Sequence, residues 1–181
     1  MILQSGDVLL RPLKKEDARP MSLLANNEKI ERNLRDGFPI PYTLRDAKRY
    51  IKQFMNHPGL FAIVYRGEYA GNISLMQHEN VYRKSAEIGY FLGEPFWNKG
   101  IMTTAVKLIT DFGFSGCNFA RIHTGVYSYN QASQKVLIKC GYRLEGILSK
   151  NIFKHGELYD EVRFAKINPA VENGTWRSRA E

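Results

Sequence analysis

Cysteine is scarce in this sequence. The two residues in 181, Cys117 and Cys140, form neither a Cys-x-x-Cys pair nor a disulfide framework. Both stand beside glycine in apolar surroundings, which predicts buried free thiols. Long apolar runs are absent as well. No stretch approaches the roughly 20 residues that cross a bilayer, and Met1-Ile2-Leu3-Gln4-Ser5 lacks the charged and apolar regions of a signal peptide, so a cytoplasmic protein without membrane contact is expected. His57, His78, His123 and His155 have no metal-ligand spacing, which predicts no metal site. Internal repeats and low-complexity tracts are missing too.

Acidic residues are outnumbered, 18 against 26 Lys and Arg, giving a formal net charge of +8 and a pI near 9.5. A basic face is the footprint of phosphate binding, but the distribution argues against a nucleic-acid groove. Eleven of the 26 cationic residues fall in residues 1–52 beside seven acidic ones, and the rest are scattered without an uninterrupted cluster. Such a surface fits a ribosome-associated protein, a ligand carrying several phosphates, or a simple solvated exterior.

At 44% hydrophobic and 24% charged residues, the composition is ordinary globular. The length suits one domain that buries about two-thirds of its unfolded surface. Val8 to Leu13 reads as a first strand, and Lys14-Lys15-Glu16-Asp17 turns into a helix carrying Met21, Leu23 and Leu24. Thr43 is placed as an N-cap with Asp46 three residues on, opening a helix with Leu44, Ala47, Ile51, Phe54 and Met55 at helical spacing. Leu60 to Tyr65, Tyr69 to Gln77 and Ser85 to Leu92 read as a strand meander. A helix over Lys99 to Phe114 sets Ile101, Ala105, Leu108, Ile109 and Phe112 on one face. Arg121 to Tyr127 is a strand, the next helix turns Ala132, Val136, Leu137 and Cys140 to the core, and 142–153 with 157–167 form a terminal hairpin. The order βααα, βββ, αβα, ββ predicts an α+β fold in a single domain over 1–167. The tail over 168–181 shows no period and is expected to be loosely held.

One segment carries most of the chemistry. Ala86-Glu87-Ile88-Gly89-Tyr90-Phe91-Leu92-Gly93-Glu94-Pro95-Phe96-Trp97-Asn98-Lys99-Gly100-Ile101-Met102-Thr103-Thr104-Ala105 reads as a strand, a tight turn and the first turn of a helix. That order leaves backbone N–H groups at a helix N-terminus, where unpaired donors and the helix dipole favour a phosphate. Further on, Asn130-Gln131-Ala132-Ser133 opens a helix ending at Cys140-Gly141-Tyr142. Together the two segments resemble the GNAT superfamily of acyl-CoA-dependent N-acyltransferases, and most of all its ribosomal-protein N-terminal acetyltransferase branch. The superfamily's pyrophosphate loop has the form Gln/Arg-x-x-Gly-x-Gly/Ala. Gly100 stands at the first of its glycines, Trp97 at the Gln/Arg position, Asn98 at a position that is often Gly, and Met102 at the final Gly/Ala position.

The resemblance implies the GNAT fold, a central mixed and mostly antiparallel sheet flanked by helices, with acetyl-CoA as co-substrate and no metal. It places Trp97, Asn98, Lys99, Gly100, Ile101, Met102, Thr103 and Thr104 at the cofactor phosphates. Met102 then has to point into the core to leave the phosphate loop clear, while Lys99, Thr103 and Thr104 supply a cation and hydroxyls. Asn130 is either an N-cap or, as the resemblance implies, a contact to the pantetheine arm. Ser133 is implied as hydrogen-bonding the departing thiolate, since the tyrosine that many members place four residues before the helix-ending glycine is Leu137 here. Glu87 lies on the strand where the family often keeps the group that accepts the amine proton, although strand alternation also allows a solvated carboxylate. Asp160 resembles the branch's terminal-hairpin acid, structural as often as catalytic. His123 and Tyr127 are weaker candidates, because a lone strand histidine is more often a hydrogen-bonded core residue.

The implied reaction is direct attack of a deprotonated amine on the thioester of acetyl-CoA, with backbone donors stabilising the oxyanion. An α-amine near pKa 8 needs less base assistance than a lysine near 10.4, so a protein N-terminus is the expected acceptor, with nucleic acid met only indirectly through ribosomes. A polyamine, aminoglycoside or other small amine is the alternative within the family, and a basic nucleic-acid-binding module the alternative outside it. A monomer or homodimer is expected.

Overall fold

A computed structural model of the chain describes residues 1–177, and the last residues of the expected tail, 178–181, lie outside them. The fold is α+β. Strands β1 (Leu3–Ser5), β2 (Val8–Arg11), β3 (Leu60–Tyr65), β4 (Glu68–Gln77), β5 (Ser85–Leu92), β6 (Arg121–Tyr127), β7 (Arg143–Lys154) and β8 (Glu157–Ile167) form one sheet in the order β1-β2-β3-β4-β5-β6-β8-β7. β5 pairs with β6 in parallel, while the β1–β2, β2–β3, β3–β4, β6–β8 and β7–β8 pairs are antiparallel. The parallel step needs a crossover, and helix α4 (Ile101–Asp111) lies in the segment that makes it. The other helices are α1 (Ala18–Ala25), α2 (Glu28–Glu31), α3 (Leu44–Phe54), α5 (Gln131–Lys139) and α6 (Pro169–Glu172).

The described chain divides into two compact units, one of residues 1–74 with 90–108, the other of residues 75–89 with those from 109 onward. In the first, β3 reads Leu-Phe-Ala-Ile-Val-Tyr and is buried from Leu60 to Val64, as a strand covered on both faces must be. Helix α3 starts at the expected cap: the Asp46 N–H donates to Thr43 Oγ1 at 3.3 Å, and the Thr43 N–H donates to Asp46 Oδ2 at 3.0 Å. Its buried face is Ala47 and Ile51, whereas Leu44 is exposed. Near α1, Arg11 makes a two-pronged bond to Asp17, 2.7 Å on each arm, and Asp17 also accepts the Lys14 N–H at 2.7 Å. The first strand ends at Arg11 rather than Leu13, with Pro12 unable to donate to a ladder, and β1 was not expected because it is only three residues long with one half-buried side chain.

The second unit is built on β6 and β8, with Ile88, Ile109, Ile122 and Leu137 fully buried. A buried bond of 2.8 Å joins the hydroxyls of Thr110 and Tyr142. Helix α5 buries Leu137, and Cys140 follows it into the core, but Ala132 is exposed because a first-turn residue beside the cap lies beyond the buried stripe. Cys140 is buried as expected, while Cys117, after the π-turn that ends α4, is only half-buried. The start of the tail, over 168–172, is more ordered than its composition implied. Asn168 is buried, its side chain donates to Phe119 O at 3.0 Å and accepts the Ala170 N–H at 3.0 Å, and Pro169 at the first helical position starts α6.

Candidate active site

In the first unit, β5 ends at Leu92 and runs through a 3₁₀ turn, Glu94–Phe96, into an extended Trp97. Asn98 (φ +59°) and Gly100 (φ +74°) are both left-handed and bracket Lys99, after which α4 begins. Alternation of backbone hand gathers successive N–H groups on one side of the chain, which suits an anion. The first intrahelical bond runs from the Thr104 N–H to Gly100 O at 3.1 Å, and the amides ahead of it meet the positive end of an eleven-residue helix. A Cβ built on Gly100 meets nothing within 4 Å, so the space beside it is open and glycine is required by its φ.

Side chains fix this turn from behind. The Trp97 indole donates to Leu92 O at 2.7 Å and ties the turn to the strand end. Glu94 is paired with Lys29 and accepts from Asn27 at 2.7 Å, bonds that hold its carboxyl below the usual range. Ile101 is buried and Met102 is 8% exposed, so Met102 fills the core as the turn requires. The buried stripe of α4 is Ile101, Met102, Ala105, Val106, Ile109 and Thr110, not the expected face through Leu108 and Phe112. Lys99 is exposed, its ammonium 5.8 Å from the Phe96 ring centroid. Thr103 and Thr104 are half-buried, and the Thr104 hydroxyl donates to Gly100 O at 3.4 Å.

In the second unit, Asn130 caps α5. Its Oδ1 accepts the Ser133 N–H at 3.1 Å, so the cap function is real and couples the two residues. Leu137 is fully buried one turn further on. Glu87 is half-buried on β5 between buried Ala86 and Ile88, and its register partner on β6 is His123. His123 meets His78 with 2.8 Å between the Nε2 atoms. Burial lowers the pKa of His123, as do Arg121 and His78, while Glu87 opposes them. Asp160 is engaged structurally. It accepts the Lys150 backbone N–H at 2.9 Å with the Lys150 ammonium 3.4 Å away, and that backbone bond leads the forces holding its carboxyl below the usual range.

Sequence reasoning missed two features here. His78 gave no signal, since its partner is 45 residues away. Glu161 covers Gly125, where a Cβ would sit 1.6 Å from its Oε1; an isolated glycine inside a strand is the sequence mark of such close approach. Tyr127 packs with Tyr129 and Tyr159, with ring centroids 5.1 Å and 6.1 Å away. Among the described residues no group of three or more His, Cys, Asp or Glu side chains is placed to hold a metal ion, and no helix is long and apolar enough to cross a membrane.

Residues 7–143 match the family model described as an acetyltransferase (GNAT) domain. A probable N-acetyltransferase of Bacillus subtilis is 31% identical, over 94% of this chain and 99% of its own. The spermidine N(1)-acetyltransferase of Escherichia coli is 30% identical, over 86% of this chain and 83% of its own. The solved structure of a ribosomal L7/L12 α-N-protein acetyltransferase in complex with coenzyme A superposes with a TM-score of 0.82 at 21% identity, covering 94% of this chain and 99% of that one. These matches set aside the nucleic-acid-binding alternative. The chain belongs to the GNAT family and is an acyl-CoA-dependent N-acetyltransferase.

Proposed function

We propose that the enzyme moves the acetyl group of acetyl-CoA to the α-amine of a protein N-terminus, as in the ribosomal-protein branch of the family, by direct attack. The observation that carries the acetyl-CoA part of this reading is the turn at Trp97–Thr104, where two left-handed residues, an open α-carbon at Gly100 and the start of α4 make a cradle of backbone donors. Its backbone amides, the Lys99 charge and the hydroxyls of Thr103 and Thr104 hold the pyrophosphate. Trp97, Asn98, Ile101 and Met102 keep the backbone in that shape, the last two through buried side chains.

Acetyl-CoA supplies an acetyl thioester whose thiol, with a pKa of about 8.5, leaves readily as thiolate. Ser133 steadies that sulfur by a hydrogen bond, and Asn130 meets the pantetheine arm with the donor end of the side chain whose oxygen caps α5. Glu87 takes the proton from the acceptor amine. An α-amine near pKa 8 asks less of such a base than a lysine or a polyamine near 10, and the chain's charge of +8 disfavours a polycationic acceptor. The two free thiols fit a reducing, cytoplasmic setting.

The polyamine reading rests on the likeness to the spermidine enzyme. Incubation with labelled acetyl-CoA and a panel of N-terminal peptides, polyamines and aminoglycosides separates the two. Label appears chiefly on peptide α-amines if the proposal holds. Preference for spermidine or an aminoglycoside moves the acceptor to the small amines, and transfer to no amine overturns the proposal.

A further inference from the structure

His78 and His123 meet in a way that ordinary ring packing does not explain. Their Nε2 atoms are 2.8 Å apart, their planes differ by 6°, and their centroids are 5.0 Å apart. The centroids are farther apart than the nitrogens by about the width of an imidazole ring, so the rings meet edge to edge in nearly one plane. Two lone pairs facing at that distance repel, and two N–H groups collide. One proton therefore lies between the rings, with one nitrogen donating and the other accepting.

The surroundings give the pair a direction. Glu87 and His123 are register partners on adjacent parallel strands, which sets their side chains on one face of the sheet. The other charged groups acting on His123 are Arg121, Glu145 and Arg163. Arg121 on β6 is held by both oxygens of Glu145 on β7, and Arg163 on β8 lies 3.4 Å from Glu161. Both guanidiniums are thus engaged by other carboxylates, and Glu87, across the strand pair, favours a proton on His123.

We propose that His123 and His78 form a proton relay that receives, through Glu87, the proton released by the acceptor amine and delivers it to water. This rests on the acetyl-transfer reading with Glu87 as the base. The balance is simple. The amine loses one proton to the Glu87 carboxylate; the carboxyl returns it to the ring nitrogen of His123 that does not face His78; the bridging proton moves to His78 Nε2; and His78 releases the proton on its other nitrogen to solvent. No net charge accumulates and Glu87 is again a carboxylate; the two rings, left in the opposite tautomers, regain the first ones by exchanging protons with water before the next turnover. The histidines act through Glu87 and touch no reacting atom.

The test compares wild type with Glu87→Gln, His123→Gln, His78→Gln and the double variant Glu87→Gln/His123→Gln, using acetyl-CoA and one N-terminal peptide from about pH 6 to pH 9. Each histidine variant should lose about ten-fold in kcat near neutral pH with KM little changed. The loss should shrink as free imidazole is added to carry the proton, and the double variant should be no slower than Glu87→Gln alone. His78→Gln, at a half-buried position, keeps the test open if His123→Gln folds poorly. Losses that multiply in the double variant and ignore imidazole overturn the relay while leaving the acetyltransferase reading intact. A wild type that acetylates neither peptides nor other amines overturns both.

Discussion

The carboxylate of Asp160 accepts the backbone N–H of Lys150 at 2.9 Å, and Lys150 is left-handed, with φ +55°, where the β7–β8 register shifts between Leu148 and Ile152. Asp160 thereby holds the irregular middle of β7 in place. Its folded pKa lies below the ordinary aspartate value, chiefly through that backbone bond. A depressed carboxyl contributes stability that is complete above its unfolded pKa of about 3.9 and is lost as pH falls through the folded value. Asp160→Asn should therefore melt earlier than wild type at neutral pH, lose less of its melting temperature on acidification and keep its kcat. A large fall in kcat without loss of stability would return Asp160 to the chemistry.

Asn130 and Ser133 separate cleanly by experiment because the cap uses the side chain of one and the backbone of the other. Ser133→Ala keeps the capped N–H, so it should cost less stability than Asn130→Ala while kcat falls about ten-fold. Asn130→Ala removes the cap and should cost about 1 kcal/mol of stability, with weaker cofactor binding besides. Thermal melts paired with steady-state kinetics check both. A loss of stability in Asn130→Ala with no kinetic change in either variant would make Asn130 a cap alone and take Ser133 out of the chemistry.

Arg11 and Asp17 form a pair whose side chains are 16% and 4% exposed, and Asp17 accepts the Lys14 N–H as well. Removing one partner strands the other. Asp17→Ala should destabilise the fold by about 3 kcal/mol, measurable by urea denaturation, whereas breaking the exposed Arg66–Asp7 pair should change stability far less.

Local signals made much of this legible. Thr43 and Asp46 announced α3 because a capping box is written in adjacent residues. The Gly100 turn was legible because its conformation demands particular residue types, and Asn98 and Gly100 are the two that tolerate positive φ most readily. The buried face of α4 was misjudged by roughly a quarter turn: Val106 and Thr110 are buried in place of Leu108 and Phe112, and Thr110 is admitted to the core by its bond to Tyr142. No sequence pattern announces a partner 32 residues away. The His78–His123 contact and the engagement of Asp160 were hidden for the same reason, since each depends on strand register and not on spacing along the chain.

The central claim is that the turn at Gly100 holds acetyl-CoA, and the most direct measurement is the melting temperature of wild type and Gly100→Val with and without millimolar acetyl-CoA. A valine at φ +74° strains the backbone by about 1–2 kcal/mol and fills the open space beside the turn. Gly67→Val, at φ +87° in the β3–β4 turn and with equally open space, controls for strain alone. Acetyl-CoA should raise the melting temperature of wild type and Gly67→Val by mass action and leave Gly100→Val unmoved; an unshifted wild type, or an equal shift in Gly100→Val, would contradict the account.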